Sequence, residues 1–174
     1  MNFENDIFRV RELREADANS LFKMYSGSRH SAKHISTLPH DTVEVTLSKI
    51  KQWRKFYSEN NPKILVYGVA ASPDDSVFGL IVFVFNEQHA EIHFGISDKF
   101  SNRGISTELC RSGLEYLKCL GVNEVRTHPF VEHTASIRVL EKSGFSNHGV
   151  LKNYARFPAL GGGLFNCADM RIRL

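Results

Sequence analysis

The stretch Ile96-Ser97-Asp98-Lys99-Phe100-Ser101-Asn102-Arg103-Gly104-Ile105-Ser106-Thr107 passes from an alternating apolar pattern, through turn residues, into a helical period. A strand-turn-helix junction of this kind aims several backbone N–H groups at one point and adds the positive end of a helix dipole. That pairing suits a pyrophosphate. Gly104 allows close backbone approach, Ser106 is small, and Arg103 or Lys99 supplies charge. The Gly-Lys-Ser/Thr ending of a nucleotide P-loop is missing, which disfavours ATP and GTP. Taken alone, the stretch reads first as a surface turn with a glycine at a helix start, and only with further support as a pyrophosphate site.

Two other places hold groups able to move protons. Glu91 lies on the strand leading into this loop and shares a face with His93 and Gly95 by alternation. His133-Thr134-Ala135-Ser136 opens a later helix. His30 and His34 are four apart with His40 beyond, but no helical pattern supports them and no carboxylate completes a metal set, so they read as a solvated loop. His89 and His93 are too few for a metal site. No metal is expected.

The elements that must position these groups follow from periodicity. Strands are expected at Ile7 to Leu13, Ile64 to Ala71, Val77 to Phe85, Ala90 to Ser97, Asn123 to Thr127, Phe145 to Asn153 and Asn166 to Leu174. Helices are expected from about Glu15 to Tyr25, from Asp41 or Thr42 to Tyr57, from Arg103 to Leu120, and from Thr134 to Ser143. Ser26 to His40 reads as a loop, and Gly161-Gly162-Gly163 sits between the last two strands. Val77 to Phe85 is apolar throughout and belongs at the centre of a sheet, with Phe78, Phe83 and Phe85 in the core. The β-α-α-β-β-β-α-β-α-β-β order describes an α/β chain: a mixed sheet with helices on its faces.

The 174 residues fit a single domain, 1–174, and 42% hydrophobic against 24% charged residues predicts a packed core rather than disorder. A net charge of +3 suits an anionic small ligand and is too weak to argue for nucleic acid. Cys110, Cys119 and Cys167 are odd in number and share no ligand spacing, so they read as reduced thiols. No apolar run approaches the ~20 residues that span a bilayer, and no signal-peptide pattern opens the chain. A cytoplasmic protein without membrane attachment is expected, as a monomer or homodimer.

Phe100 to Thr107 resembles the acetyl-CoA loop of GNAT acetyltransferases, a Gln/Arg-x-x-Gly-x-Gly/Ala pattern. Thr134-Ala135-Ser136-Ile137-Arg138-Val139-Leu140-Glu141-Lys142-Ser143-Gly144-Phe145 is similar to a second signature, that of the RimJ/RimL-like ribosomal-protein N-terminal acetyltransferases. Arg9-Val10-Arg11-Glu12-Leu13 and Asp169-Met170-Arg171-Ile172 look like the ends of that family. The resemblance implies the GNAT fold, a mixed, mostly antiparallel twisted sheet with helices on both faces. It implies acetyl-CoA as co-substrate, held by Ile96, Ser97, Ser101, Asn102, Arg103, Gly104, Ile105, Ser106, Thr107, His133 and Ser136. Three residues depart from the pattern: Ser101 replaces Gln or Arg, Ser106 replaces Gly or Ala, and His133 replaces Asn.

The resemblance also implies acetyl transfer to an amine. The strand Ile92 to Ser97 is then expected to splay from its neighbour, freeing N–H groups for a developing oxyanion. Gly95 fits a close approach by the cofactor's thin arm. Glu91 is the expected acceptor of the amine's proton, directly or through water, and a structural hydrogen-bond role is the alternative. Many GNAT enzymes carry Tyr where this chain has Leu140. Ser136, with His133 nearby, is the implied substitute that hydrogen-bonds the cofactor sulfur; the alternative makes Ser136 and His133 helix caps, a role for which Thr134 competes. Tyr154 and Phe157 either line the acceptor mouth or simply pack. The expected acceptor is a protein N-terminal α-amine; a small amine (polyamine, amino acid or aminoglycoside) and a non-catalytic acyl-CoA-binding domain are the alternatives.

Overall fold

In the computed structural model, which describes residues 1–174, the chain forms one eight-stranded sheet in the order β1-β2-β3-β4-β5-β6-β8-β7. The strands are β1 (Phe3–Glu4), β2 (Phe8–Glu12), β3 (Ile64–Ala71), β4 (Val77–Phe85), β5 (Ala90–Ile96), β6 (Glu124–Thr127), β7 (Ser146–Ala155) and β8 (Phe165–Arg173). Every pairing is antiparallel except β5 with β6. Helices cover both faces: α1 (Ala18–Leu21), α2 (Arg29–Ala32), α3 (Val43–Phe56), α4 (Ile105–Cys119) and α5 (Thr134–Lys142).

The two faces hold two cores. Leu21, Tyr25 and Ile50 from the α1–α3 region meet Val66, Ala70 and Leu80 on one side. On the other, Leu109, Leu114 and Leu117 of α4 meet Ile81, Phe83 and Ile92. Fully burying side chains such as Phe83 and Leu109 contributes roughly 1.5–3 kcal/mol each. Gly113 lets α4 lie close, because a Cβ there would stand 2.8 Å from Ile81 Cδ1. The apolar β4 lies between β3 and β5, with Phe78 and Phe83 fully buried and Phe85 half-buried.

Several boundaries differ from the sequence expectation. A two-residue strand, β1, precedes the first expected one; two residues carry too little alternation to register. The helix expected from Glu15 to Tyr25 is a 3₁₀ turn, one α-helical turn and a π-helical turn in succession. Its start is tied by Asp17, which accepts from Arg11 Nη1 at 2.8 Å and from the Arg14 N–H at 2.6 Å. The expected loop Ser26 to His40 contains α2, capped by the Ser28 hydroxyl. The helix expected from Arg103 begins at Ile105 and stops at Cys119, leaving Leu120 51% exposed before Gly121 turns the chain at φ 80°. β7 runs to Ala155, two residues beyond expectation.

Candidate functional site

The loop between β5 and α4 starts from Ser97, buried, whose N–H donates to the Phe78 carbonyl at 2.8 Å. Phe100 then stacks on Phe78, with ring centroids 3.9 Å apart, and Ile105 plugs into the core, so both ends of the loop are anchored. Between them Asn102 and Gly104 take positive φ of 61° and 78°. This backbone leaves the N–H groups of Asn102, Arg103, Gly104, Ile105 and Ser106 without acceptors in the chain, while the Gly104 carbonyl accepts from Thr107 and Glu108. Successive free N–H groups at a helix N-terminus form an anion-binding concavity. The space over Gly104 is open, and the Arg103 guanidinium lies 5.6 Å from the centre of the Phe100 ring, at the edge of the same concavity.

β5 pairs with β6 only at Ala90 and Glu91 and then parts from it, while its pairing with β4 continues to Ile96. Because the Ser97 N–H points to β4, alternation turns the N–H groups of Phe94 and Ile96 into the gap. Gly95 faces the α1 side, where an added Cβ would collide with the Tyr25 hydroxyl. The missing side chain of Gly95 makes room for Tyr25. That tyrosine is buried, its phenol pushed up to about 12 by burial.

Beside the gap, on the face away from α4, lies a cleft of about 530 Å³. Glu91, Arg126, His128, Tyr154, Asp169 and Arg171 line it. Glu91 accepts from His93 Nε2 at 3.1 Å, and this bond, helped by His128, holds its carboxyl below the usual range. His128 sits between two partners: Nδ1 lies 3.3 Å from the Tyr154 hydroxyl, and Nε2 lies 3.7 Å from Asp169 Oδ1. Burial lowers the His128 proton affinity, while Glu91 and Asp169 oppose that. Asp169, itself buried, is gripped by Arg171 through bonds of 2.9 and 2.5 Å, which keep it ionised.

At the start of α5, His133 occupies the cap position but its side chain makes no capping bond. Its ring stacks on His34 at 4.0 Å, which brings the long loop after α2 onto α5. Burial, then His34, Lys33 and His30, push His133 down to about 4. Ser136 is the third residue of the helix, within its first turn. His133 is thus the cap residue by position and not through its side chain, and Thr134 is already helical.

An acetyltransferase (GNAT) domain model matches residues 8–146, most of the chain. The chain belongs to the GNAT acetyltransferase family. A Bacillus subtilis (strain 168) relative, the uncharacterized N-acetyltransferase YoaA, is 24% identical over 155 residues, covering 87% of this chain and 86% of its own. The fold is similar to that of the ribosomal-protein-S5-alanine acetyltransferase of Vibrio fischeri, with a TM-score of 0.86, 16% identity and coverage of 99% and 96% of the two chains. It is also similar to that of the spermidine N-acetyltransferase of Vibrio cholerae in complex with CoA and spermine, with a TM-score of 0.78, 18% identity and coverage of 97% and 96%. No helix of this GNAT protein is long and apolar enough to cross a membrane.

Of the residues singled out from sequence, Ser101 to Thr107 follow one another around the run of free N–H groups, Ser97 is buried where the loop leaves β5, and Ile96 borders the gap. Glu91 lies in the cleft next to the gap. His133 and Ser136 sit together at the mouth of α5. Tyr154 lines the cleft, whereas Phe157 is buried with Phe130 and Cys167 in a small core of its own. Tyr25, His34, His128 and Asp169 escaped the sequence reading of the site. For His128 the available signal was its place one residue past β6, where the chain leaves the sheet beside the gap.

Proposed function

We propose that this GNAT N-acetyltransferase moves acetyl from acetyl-CoA to a protein N-terminal α-amine. The observation that carries the reading is the cleft: it is open and of mixed charge, Glu87, Glu91 and Asp169 against Arg126 and Arg171, and two of its three carboxylates, Glu91 and Asp169, are held ionised by His93 and Arg171. Carboxylates with lowered proton affinity strip protons poorly from an amine of pKa near ~10.4, the lysine and polyamine range, but an α-amine near ~8 is already partly neutral at pH 7. An enclosed acidic pocket, the arrangement expected for a polycation, is not what lines this cleft. The likeness to the S5-alanine acetyltransferase supports the same choice.

In this account the concavity from Ser101 to Thr107 takes the diphosphate, with Ser97 and Ile96 fixing its approach. The Phe94 and Ile96 N–H groups in the gap stabilise the oxyanion that forms when the amine attacks the thioester; one such donor is worth about 10²–10³ in rate. Glu91 meets the incoming amine and attracts it through its persistent negative charge. Ser136 donates its hydroxyl to the departing sulfur, with neutral His133 at the same helix start. The spermidine enzyme of the same fold favours the small-amine alternative, which differs in product.

Peptides with a free N-terminus and one internal lysine separate the two. Mass spectrometry of the product is expected to place the acetyl group on the α-amine, and peptides blocked at the N-terminus are expected to be inert. Acetylation of lysine or of spermidine in preference to the α-amine would overturn the assignment.

A further inference from the structure

The cleft contains a connected chain of groups that the acyl-transfer account has not used. Tyr154, on β7, is 48% exposed and stands at the mouth. Its hydroxyl is 3.3 Å from His128 Nδ1, and the two rings lie 4.8 Å apart between centroids. On the far side of the imidazole, His128 Nε2 faces Asp169 Oδ1 at 3.7 Å, and Asp169 is fixed by its paired bonds to Arg171. The order from solvent to interior is thus hydroxyl, imidazole, carboxylate. Three strands supply it, with His128 just past the end of β6 and Tyr154 and Asp169 on the paired strands β7 and β8.

The Asp169 carboxylate, 3.7 Å from Nε2, favours by its charge the tautomer with its hydrogen there, and in that tautomer Nδ1 accepts from the tyrosine hydroxyl. The same carboxylate then stabilises the imidazolium once Nδ1 is protonated, which is the logic of an Asp-backed general base. We propose, resting on the amine-acetylation reading of this site, that Tyr154, His128 and Asp169 form the proton relay that receives the proton lost by the acceptor amine. As the C–N bond forms and the amine N–H bond breaks, the proton passes to Tyr154 Oη and the tyrosine's own proton passes to His128 Nδ1. The sulfur leaves as thiolate and takes a proton from Ser136 Oγ, which recovers one from water, while His128 releases the proton it received to water. The sum is an amide and a free thiol from an amine and a thioester.

The other charged groups around His128 suit the relay. Glu91 and His93 face it from β5, Arg126 from β6, and Arg171 stands behind Asp169 on β8. Glu91 attracts the cationic amine, but its bond from His93 lowers its hold on a proton, so the proton needs a second resting place. Burial keeps His128 unprotonated at neutral pH, and Tyr154 keeps its phenolic proton because burial, with Glu91 nearby, raises its pKa.

The test uses the full chain with the variants His128→Asn and Tyr154→Phe. Wild-type kcat/KM is measured from pH 5 to 9 with an acceptor that turns over, whether an N-terminal peptide or spermidine. Two groups must be unprotonated, the amine and His128, so log(kcat/KM) is expected to climb with a slope of about 2 at the acid end and about 1 nearer neutrality. His128→Asn is expected to lose about 10²-fold at pH 7, to keep its KM for acetyl-CoA, and to show a slope of about 1 throughout. Tyr154→Phe, which keeps the ring and loses only the hydroxyl, is expected to lose about 10-fold or more with the same change of slope. If both variants keep the wild-type rate and the steep acid limb, the relay is wrong while the acetylation reading stands. If wild-type protein binds acetyl-CoA yet releases thiol with neither peptides nor spermidine, the acetylation reading falls and the relay falls with it.

Discussion

Glu91 shows how neighbours decide what a residue can do. On a bare strand it would be a carboxylate of ordinary strength; with His93 Nε2 at 3.1 Å it becomes a persistent anion. Its main effect is then on amine capture. Glu91→Gln is expected to raise the KM for the amine and to lower kcat/KM by about 10-fold at pH 7, with acetyl-CoA affinity unchanged; steady-state kinetics in both substrates checks this. An undiminished kcat/KM would remove Glu91 from the reaction. Alternation along β5 already puts this residue on one face with His93 and Gly95. His128 and Asp169 were not legible, because they become neighbours only when β6 and β8 pair and when the chain after β6 turns out of the sheet. Tyr25 was hidden for a related reason: its significance depends on its lying over Gly95, some seventy positions along the chain.

At the scale of elements, the β5–α4 junction was the most legible part of the molecule. A strand period, a turn and a helical period in succession specify free N–H groups with little help from tertiary structure. What the sequence could not supply was the backbone detail, a left-handed Asn102 two residues before a left-handed Gly104. Gly104 is required by its φ of 78° rather than by crowding, since the space above it is open. Gly104→Ala is therefore expected to cost about 1–2 kcal/mol of strain in the bound conformation and to weaken acetyl-CoA binding by about 10-fold, read by calorimetry. Unaltered affinity would show that the concavity does not hold the diphosphate. The first helices were read less well. Asp17, tied to Arg11 and Arg14, and the π-helical closure from the Gly27 N–H to the Phe22 carbonyl break a segment that periodicity alone treats as one helix.

At the scale of the whole molecule, the arrangement follows from one exception in an otherwise antiparallel sheet. β5 and β6 run parallel and stay together for only two residues before parting, which opens a gap at the middle of the sheet. α4 covers one face of that region, and its first turn presents the concavity. The other face, beyond Tyr25, is left for the polar cleft. Two reactants can then approach from opposite faces and meet at the same backbone donors, and such positioning supplies much of the rate of an acyl transfer. The element order read from the sequence already described this architecture; the shallow pairing that opens it lies below the resolution of any periodic pattern.

The most direct test of the account is release of free thiol from acetyl-CoA in the presence of short peptides beginning with Ala, Ser or Met, compared with spermidine and with no acceptor. The account predicts thiol release with the free N-terminal peptides, well above that with spermidine and absent without an acceptor. Thiol release with spermidine alone, or none with any amine, would contradict it.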